Sequence, residues 1–278
     1  MYFVGVTTGQ SSIHKLFPFI AGAAGVAGAE LAGIDIPPNG APERYVAAMR
    51  QIRDDDACQG ALVTTHKVHL VQHAREWFDE FDADARLLGE VSCIVKRGAR
   101  ITGMALDPVS SLLAYQDLGS PSGDVLIFGA GGAGTALAVA LRRQDPLRRI
   151  VLTDPSLERL AHVKELADAE VHSSAGNNEI LSRMPAGSFL VNATGMGKDV
   201  PGSPVSGSAR WPAQAIAWDF NYRGDLAFLQ YAAAAGASIH NGADYFLHGW
   251  TRIMARVYDF PVTPALMQQV RLAYAAQA

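Results

Sequence analysis

Cysteine is nearly missing from this chain. Cys58 and Cys93 are the two in 278 residues, both in apolar surroundings, and no spacing matches a zinc site or a disulfide framework. That usage implies a reducing compartment and a cytoplasmic protein. A strong charge of either sign is also missing. A net charge of -4 and a pI near 6 exclude a global attraction for nucleic acid or an anionic membrane. No apolar run is long enough to span a bilayer, and "MYFVGVTTGQ" opens without a basic segment, so neither a membrane span nor a signal peptide is expected. Repeats, low-complexity tracts and charge blocks are lacking as well. What remains is a globular composition on a chain long enough for two compact domains.

The apolar pattern alternates between short strand-like runs and helical stretches. "YFVGV", "AELAGIDI", "GALVT" and "VSCIVKR" read as strands. "HKLFPFIAGAAGVAG", "APERYVAAMRQIRDD" and "KVHLVQHAREWFDEF" read as helices, the second with Pro42 in its first turn. Strands separated by helices predict parallel pairing with right-handed crossovers. A second unit starts near residue 104. There "DVLIF", "RIVLTD", "SFLVNAT" and "AIAWDF" read as strands. "DPVSSLLAYQDLG", "LAFLQYAAAAG", "YFLHGWTRIMARVYDF" and "TPALMQQVRLAYAAQ" read as helices.

"DVLIFGAGGAGTAL" is the most specific short motif. A strand runs directly into Gly129-Ala130-Gly131-Gly132-Ala133-Gly134 and then into a helix. The first glycine permits a tight turn, the second lets the backbone approach a pyrophosphate, and the third lets helix and strand pack closely. The first amides of the helix, and its dipole, favour the phosphates. Asp154 ends the next strand, twenty residues after Gly134, the spacing of a ribose-binding carboxylate. A carboxylate there accepts both hydroxyls of an adenosine ribose and repels a 2'-phosphate, which favours NAD over NADP. Arg159, one helical turn further on, keeps NADP open as the alternative.

With these residues in view, the whole chain resembles the shikimate dehydrogenase family. The landmarks occur in order: "VGV…SS", a strand-turn-lysine, "GEVSCIV", "TGMALD", "GAGGAG", "NATGMG", "DFNY" and "NGADYFLHG". The resemblance implies an α/β fold of two domains. A parallel-rich substrate domain over residues 1–103 is completed by the C-terminal helices 244–278, and a Rossmann domain covers 104–243. It implies reversible hydride transfer between NADP or NAD and a ring hydroxyl, in a cleft between the domains.

The same resemblance implies the site residues. Lys67 stands at the lysine of N-V-T-x-P-x-K and Asp107 at the aspartate of G-x-N-T-D, the family's catalytic pair. The chemistry is sensible, because a hydride leaves a secondary alcohol only as its hydroxyl proton is taken, and an ammonium binds the developing oxyanion. Tyr222 matches the substrate-facing tyrosine, and Ser11 the first of two carboxylate-binding serines, with Ser12 adjacent. Ser92 and His248 stand beside or at further substrate-reading positions. Asn192, Ala193, Thr194 and Gly242 match positions beside the cofactor.

The departures are as informative. The second carboxylate serine falls at Ile13. The asparagine and threonine of N-V-T-x-P-x-K fall at Ala61 and Val63. The asparagines of A-V-N-T and G-x-N-T-D fall at Ser92 and Ala105, and the last motif's glutamine falls at Gly249. A site built around hydroxyls discriminates through such polar groups. The expectation is a family enzyme with altered specificity, acting on a shikimate- or quinate-like cyclic alcohol or ketone. Authentic shikimate 5-dehydrogenase, and a non-catalytic nucleotide-binding regulator on the same fold, are the alternatives. A monomer or homodimer is expected.

His66, His69 and His73 share a helical spacing beside Lys67. Three imidazoles can bind zinc, but a lysine among them repels a cation, so no metal is expected. The better reading is an amphipathic helix with Val68 and Leu70 facing inward. Trp77, Phe78 and Phe81 read as packing aromatics, and Arg142, Arg143, Arg148 and Arg149 as partners of a helix C-terminus.

Overall fold

A computed structural model describes residues 1–198 and 200–276. The chain divides into two compact units, Met1–Asp107 with Leu247–Ala278, and Pro108–Phe246.

The first unit holds β1 (Tyr2–Gly5), β2 (Ala32–Asp35), β3 (Gly60–Val63), β4 (Glu80–Phe81), β5 (Cys93–Arg97) and β6 (Arg100–Met104) in one sheet, ordered β2-β1-β3-β5-β6-β4. Its early helices are α1 (Ile13–Ala23), α2 (Pro42–Asp54), α3 (Lys67–Ala74) and α4 (Ala83–Leu88). β1 pairs in parallel with β2 and β3. The expected parallel pairing fails only at β5, which is antiparallel to both β3 and β6, while β4 pairs in parallel with β6. Arg97 pairs with Arg100 across a tight turn containing Gly98 at φ 58°, too short for a crossover.

The long helix expected from Lys67 to Phe81 is also corrected. α3 ends at Ala74, a 3-10 turn follows over Arg75–Trp77, and Phe81 lies in β4, paired with Gly103. The amide of Asp79 donates to the Ile101 carbonyl at 2.9 Å, so pairing to β6 overrides local helical preference. Among the aromatics, Phe78 and Phe81 pack at 4.9 Å, while Arg53 lies 5.1 Å from the Trp77 ring centroid.

The second unit begins as α5 (Asp107–Asp117) sets out. It contains β7 (Val125–Phe128), α6 (Gly132–Gln144), β8 (Ile150–Asp154), α7 (Leu157–Ala167), β9 (Glu170–Ser173), α8 (Asn177–Ser182), β10 (Phe189–Asn192), β11 (Ile216–Asp219), α9 (Ala227–Ala234) and β12 (Ser238–His240). All pairings are parallel, in the order β12-β11-β10-β7-β8-β9. This is the doubly wound Rossmann order, with the reversal between β7 and β10. Every residue of β7, β8 and β10 is buried, as expected of strands covered on both faces. The edge strands β9 ("EVHS") and β12 ("SIH") are short and polar, and local pattern does not distinguish them from loops. Of the arginines read as helix-end partners, Arg142 donates to the carbonyls of Ala167, the last residue of α7, and of Asp168 just after it. Arg148 is instead buried, donating to the Tyr115 hydroxyl and the Gly123 carbonyl.

The chain ends with α10 (Ala243–Tyr258) and α11 (Pro264–Ala275). In the first unit Trp250 of α10 meets Phe3 edge-on at 5.0 Å. Among the described residues no helix is long and apolar enough to cross a membrane.

Candidate active site

In the first unit the pairing registers bring several chain turns to one end of the sheet. Gly5 pairs with Asp35, Leu62 with Cys93, and Cys93 with Met104. The segments after β1, β3 and β6 and before β5 therefore meet at the carboxyl ends of the parallel strands, where open α/β sheets bind ligands. Ser11, Ser12, Lys67, Glu90, Ser92 and Asp107 all lie on these segments.

The turn that presents Lys67 is held from several sides. Thr64 donates its amide to the Val4 carbonyl at 3.0 Å, and Val91 donates its amide to the Lys67 carbonyl at 3.1 Å. His66 is fully buried, with Nε2 2.8 Å from the Ile36 carbonyl and Nδ1 3.2 Å from the Tyr45 hydroxyl. A carbonyl only accepts, so Nε2 carries the proton and Nδ1 accepts from Tyr45. Burial lowers the His66 pKa, keeping the ring neutral. His69 and His73 pack around the same tyrosine, at ring distances of 6.0 and 5.3 Å. The histidines thus surround a phenol. Among the described residues no group of three or more His, Cys, Asp or Glu side chains is placed to hold a metal. Leu70 faces inward, but Val68 is exposed, contrary to expectation.

Lys67, the first residue of α3, makes a direct ion pair with Asp107, the first residue of α5. The Asp107 turn is held by the Leu106 amide, which donates to Ser92 Oγ at 2.8 Å. Burial alone would lower the Lys67 pKa, but the carboxylates of Asp107 and Glu90 outweigh it and the pKa is raised. The side chain nevertheless keeps a fifth of its surface exposed, so a ligand can reach it.

Glu90 lies on the segment before β5 with Ser92, and the motifs do not reveal it. It follows Gly89, whose left-handed backbone at φ 65° ends α4, and only 1% of it is exposed. Among the described residues its Oε1 has no hydrogen-bond partner. Burial pushes its pKa up to about 7, with Lys67 opposing the rise and Asp107 adding to it. Set against A-V-N-T, "GEVSC" shows the lost asparagine at Ser92 more readily than the carboxylate gained at the alanine position. A charged residue between Gly89 and the strand-like "VSCIV" is the available signal.

The serines differ in their surroundings. The turn over Thr8–Gln10 is pinned by Thr8, whose amide and hydroxyl donate to Asp35 Oδ1 at 2.9 and 2.6 Å. Ser11 and Ser12 follow it, half-buried at the start of α1, with Ser11 Oγ accepting the Ile13 amide at 3.4 Å. Ser92 is buried, its Oγ engaged by Leu106. His248 is buried on α10, with Nε2 3.4 Å from a guanidinium nitrogen of Arg271.

In the second unit β7 runs into the glycine loop as the motif predicts. Gly129 adopts φ 101°, and a Cβ there would stand 2.8 Å from the Ala193 carbonyl oxygen. A Cβ on Gly134 would lie 2.0 Å from the Gly129 carbonyl oxygen. Both glycines are required by the protein's own backbone. Gly131 differs: it precedes α6 in extended backbone at φ -74°, and among the described residues a Cβ would meet nothing within 4 Å. The first amides of α6, from Gly132 and Ala133 onward, are its unbonded N-terminal donors. This open side with free amides suits a dinucleotide pyrophosphate.

Asp154 is buried, accepting the Ala130 amide on Oδ2 and the Ser156 amide on Oδ1, each at 2.8 Å. Asn192 is fully buried and its amide is committed to the protein. It donates to Asp219 Oδ2 at 2.9 Å and the Met196 carbonyl at 3.1 Å, and accepts the Thr194 hydroxyl at 2.6 Å. Asn192 therefore shapes the "NATGMG" loop. Burial pushes the Asp219 pKa up to about 6, partly offset by bonds from Asn221 and Asn192. Gly242 is demanded by the backbone, since a Cβ would lie 2.0 Å from the Phe220 carbonyl oxygen. The Tyr222 ring packs on Phe246 at 4.4 Å.

No family model matches the chain. An NADP(+) shikimate dehydrogenase of Arthrobacter sp. is 31% identical over 218 residues, covering 75% of this chain and 72% of that protein. The chain belongs to the shikimate dehydrogenase family. Another member, from Symbiobacterium thermophilum, is 26% identical over 226 residues, 77% of this chain and 74% of its own. The family's fold extends over the whole length. Shikimate 5-dehydrogenase of Thermus thermophilus, solved with NADP(H) and shikimate, superposes with a TM-score of 0.77 at 23% identity, covering 98% of each chain. Quinate dehydrogenase of Corynebacterium glutamicum, solved with NAD, gives 0.75 at 18% identity over 99% of this chain and 98% of that one. As a family member the protein is a nicotinamide-dependent dehydrogenase acting on a CH–OH group.

Proposed function

We propose that the protein transfers a hydride between a nicotinamide dinucleotide, NAD in preference to NADP, and a ring hydroxyl or ketone of a cyclic substrate related to shikimate or quinate, with a specificity shifted away from shikimate. The observation that carries this reading is the ion pair of Lys67 with Asp107 at the carboxyl ends of the first unit's strands.

Unit Met1–Asp107 with Leu247–Ala278 is the substrate-binding part in this reading, and Pro108–Phe246 the dinucleotide-binding part. A bound dinucleotide supplies the hydride acceptor or donor. The chain's residues do the rest. Gly129, Gly131 and Gly134, with the amides of Gly132 and Ala133, receive the pyrophosphate, and Asp154 receives the adenosine ribose. Ala130, Ala193, Thr194 and Gly242 line the same region, shaped by Asn192. Lys67 is an ammonium whose raised pKa keeps it charged at neutral pH. It binds the substrate oxygen as negative charge develops and delivers the proton that converts ketone to alcohol. Asp107 holds the ammonium in place. Ser11, Ser12, Tyr222 and His248 position the ring and its substituents, while Ser92 acts indirectly by holding the Asp107 turn. Lys67→Ala should bind dinucleotide normally in calorimetry and lose at least about a thousandfold in kcat. Retained turnover would overturn the assignment.

The NAD preference rests on Asp154, because a buried carboxylate repels a 2'-phosphate. Titration calorimetry of NAD against NADP tests it, with tighter NADP binding as the contrary result. The shifted specificity rests on Ala61, Val63 and Ala105. They are buried apolar groups where the motifs carry polar ones, and a Cβ on Gly249 meets nothing within 4 Å. A second reading, a dedicated shikimate dehydrogenase, is favoured by the names of the relatives at 26–31% identity. Shikimate turnover separates the two, since kcat/KM above about 10^4 M^-1 s^-1 would sink the shifted specificity.

A further inference from the structure

His66, the residue before Lys67, is left over from that mechanism. It stands at the start of α3, where its carbonyl accepts the amide of Leu70 at 2.8 Å. Its ring is fully buried and bonded at both nitrogens. Nε2 lies 2.8 Å from the carbonyl of Ile36, the residue that follows β2 and donates its own amide to the Gly5 carbonyl at 2.8 Å. Nδ1 lies 3.2 Å from the hydroxyl of Tyr45, a side chain of α2 with 1% exposure. One ring thus fastens the start of α3 to the carboxyl end of β2 on one edge and to α2 on the other.

The proton count fixes the direction of every bond. The Ile36 carbonyl can only accept, so Nε2 holds the ring proton. Burial keeps the ring neutral, so Nδ1 accepts the phenol proton. Tyr45 has that single proton to give. His69 Nδ1, 3.4 Å from the same oxygen, must therefore donate to it. The chain runs from His69 through Tyr45 and His66 to Ile36, and the exposed His69 is its solvent end. Turning the His66 ring would leave buried polar groups unpaired at both edges, so the network holds one arrangement. Lys67 follows by one peptide bond, and its carbonyl accepts the Val91 amide at 3.1 Å. The lysine backbone is therefore located from both sides, ahead of the ion pair its side chain makes with Asp107.

We propose that Tyr45 and His66 are positioning residues for Lys67, fixing the turn from which the ammonium reaches the substrate oxygen. The inference rests on the role assigned above to Lys67. Neither side chain exchanges a proton in the reaction. Their hydrogen bonds set where the lysine stands, and a catalytic group misplaced by about 1 Å can cost about a hundredfold in rate.

The test compares NAD-linked oxidation of shikimate and of quinate by the parent, Tyr45→Phe, His69→Ala and Lys67→Ala. Tyr45→Phe keeps the aromatic ring and removes the donor to His66 Nδ1, so kcat should fall at least about tenfold with the NAD KM unchanged. His69→Ala removes the link at the solvent end, where water can replace it, and should leave kcat near the parent's. A histidine buried for packing alone would lower the melting temperature of Tyr45→Phe and leave its kcat parental, which overturns the proposal. Turnover that survives Lys67→Ala overturns the role of Lys67 and this inference together. Parental kcat in Tyr45→Phe beside an inactive Lys67→Ala overturns this inference alone. Where Tyr45→Phe fails to fold, nitrogen-15 NMR of the unsubstituted chain with ring-labelled histidine decides. His66, identified by magnetisation transfer to Ile36, should show a protonated Nε2 and a bare Nδ1 at neutral pH. A protonated Nδ1 overturns the proposal.

Discussion

Asp154 and the backbone amide of Ala130 are joined by a 2.8 Å hydrogen bond, so the residue that reads as ribose partner also holds the glycine loop. Each carboxylate oxygen has a second acceptor direction. Asp154→Asn keeps the size but turns an NH2 toward one of the two amides. Stability should fall by about 1–3 kcal/mol in urea denaturation, and NAD affinity by at least about tenfold in calorimetry. Unchanged NAD affinity in the folded variant would leave Asp154 with the loop alone.

The three motif glycines should separate by function. Gly131→Ala has a backbone any residue adopts and open space for its methyl, so it should melt like the parent and raise the dinucleotide KM by about tenfold or more. Gly134→Ala pushes a methyl to 2.0 Å from the Gly129 carbonyl oxygen and should lose at least about 2 kcal/mol of stability. Equal melting temperatures for the two variants would contradict this division.

Ser92 is expected to act through the Asp107 turn. Ser92→Ala leaves the buried Leu106 amide without its acceptor and should cost about 1–3 kcal/mol. If its role is to hold that turn, kcat falls more than substrate KM rises. A variant with normal kcat and a large KM increase would make Ser92 a direct substrate contact.

Glu90 gives a stability signature with a definite sign. Its pKa in the folded chain, about 7, exceeds the ordinary 4.5. Between those values the folded chain holds more protons than the unfolded one, so stability falls as pH rises through the window. Glu90→Gln has no proton to lose. Relative to the parent it should gain about 3 kcal/mol between pH 4.5 and 8. Asp219, raised to about 6, cancels because both proteins carry it. Lys67, with its pKa raised, contributes stability that is lost only at alkaline pH, outside the window. Parallel urea-derived stability curves across pH would refute the prediction.

Much of the second unit is legible because its signals are local. "VLIF" is apolar throughout, the glycines follow at once, and Asp154 closes the next strand, so strand, turn and helix are specified within about thirty residues. The edge strands β9 and β12 escape because polar strands of three or four residues carry no periodicity. The helix from Lys67 reads too long because nothing between Ala74 and Phe81 breaks a helix locally. Pairing of β4 with β6, some twenty residues later, ends it. The histidines illustrate the same limit, since spacing puts them near one another while only Tyr45, from another helix, explains what they do.

The sequence by itself determined the strand, glycine loop and helix, the family and the identity of the Lys67–Asp107 pair, because each is written in residue order and short spacing. Tertiary structure alone decided the state of that pair. Lys67 is an ammonium because Asp107 pairs with it directly and the charge of Glu90 adds to that pull, and burial pushes the Glu90 pKa up to about 7. Burial and through-space charge are properties of packed chains, and no stretch of sequence carries them.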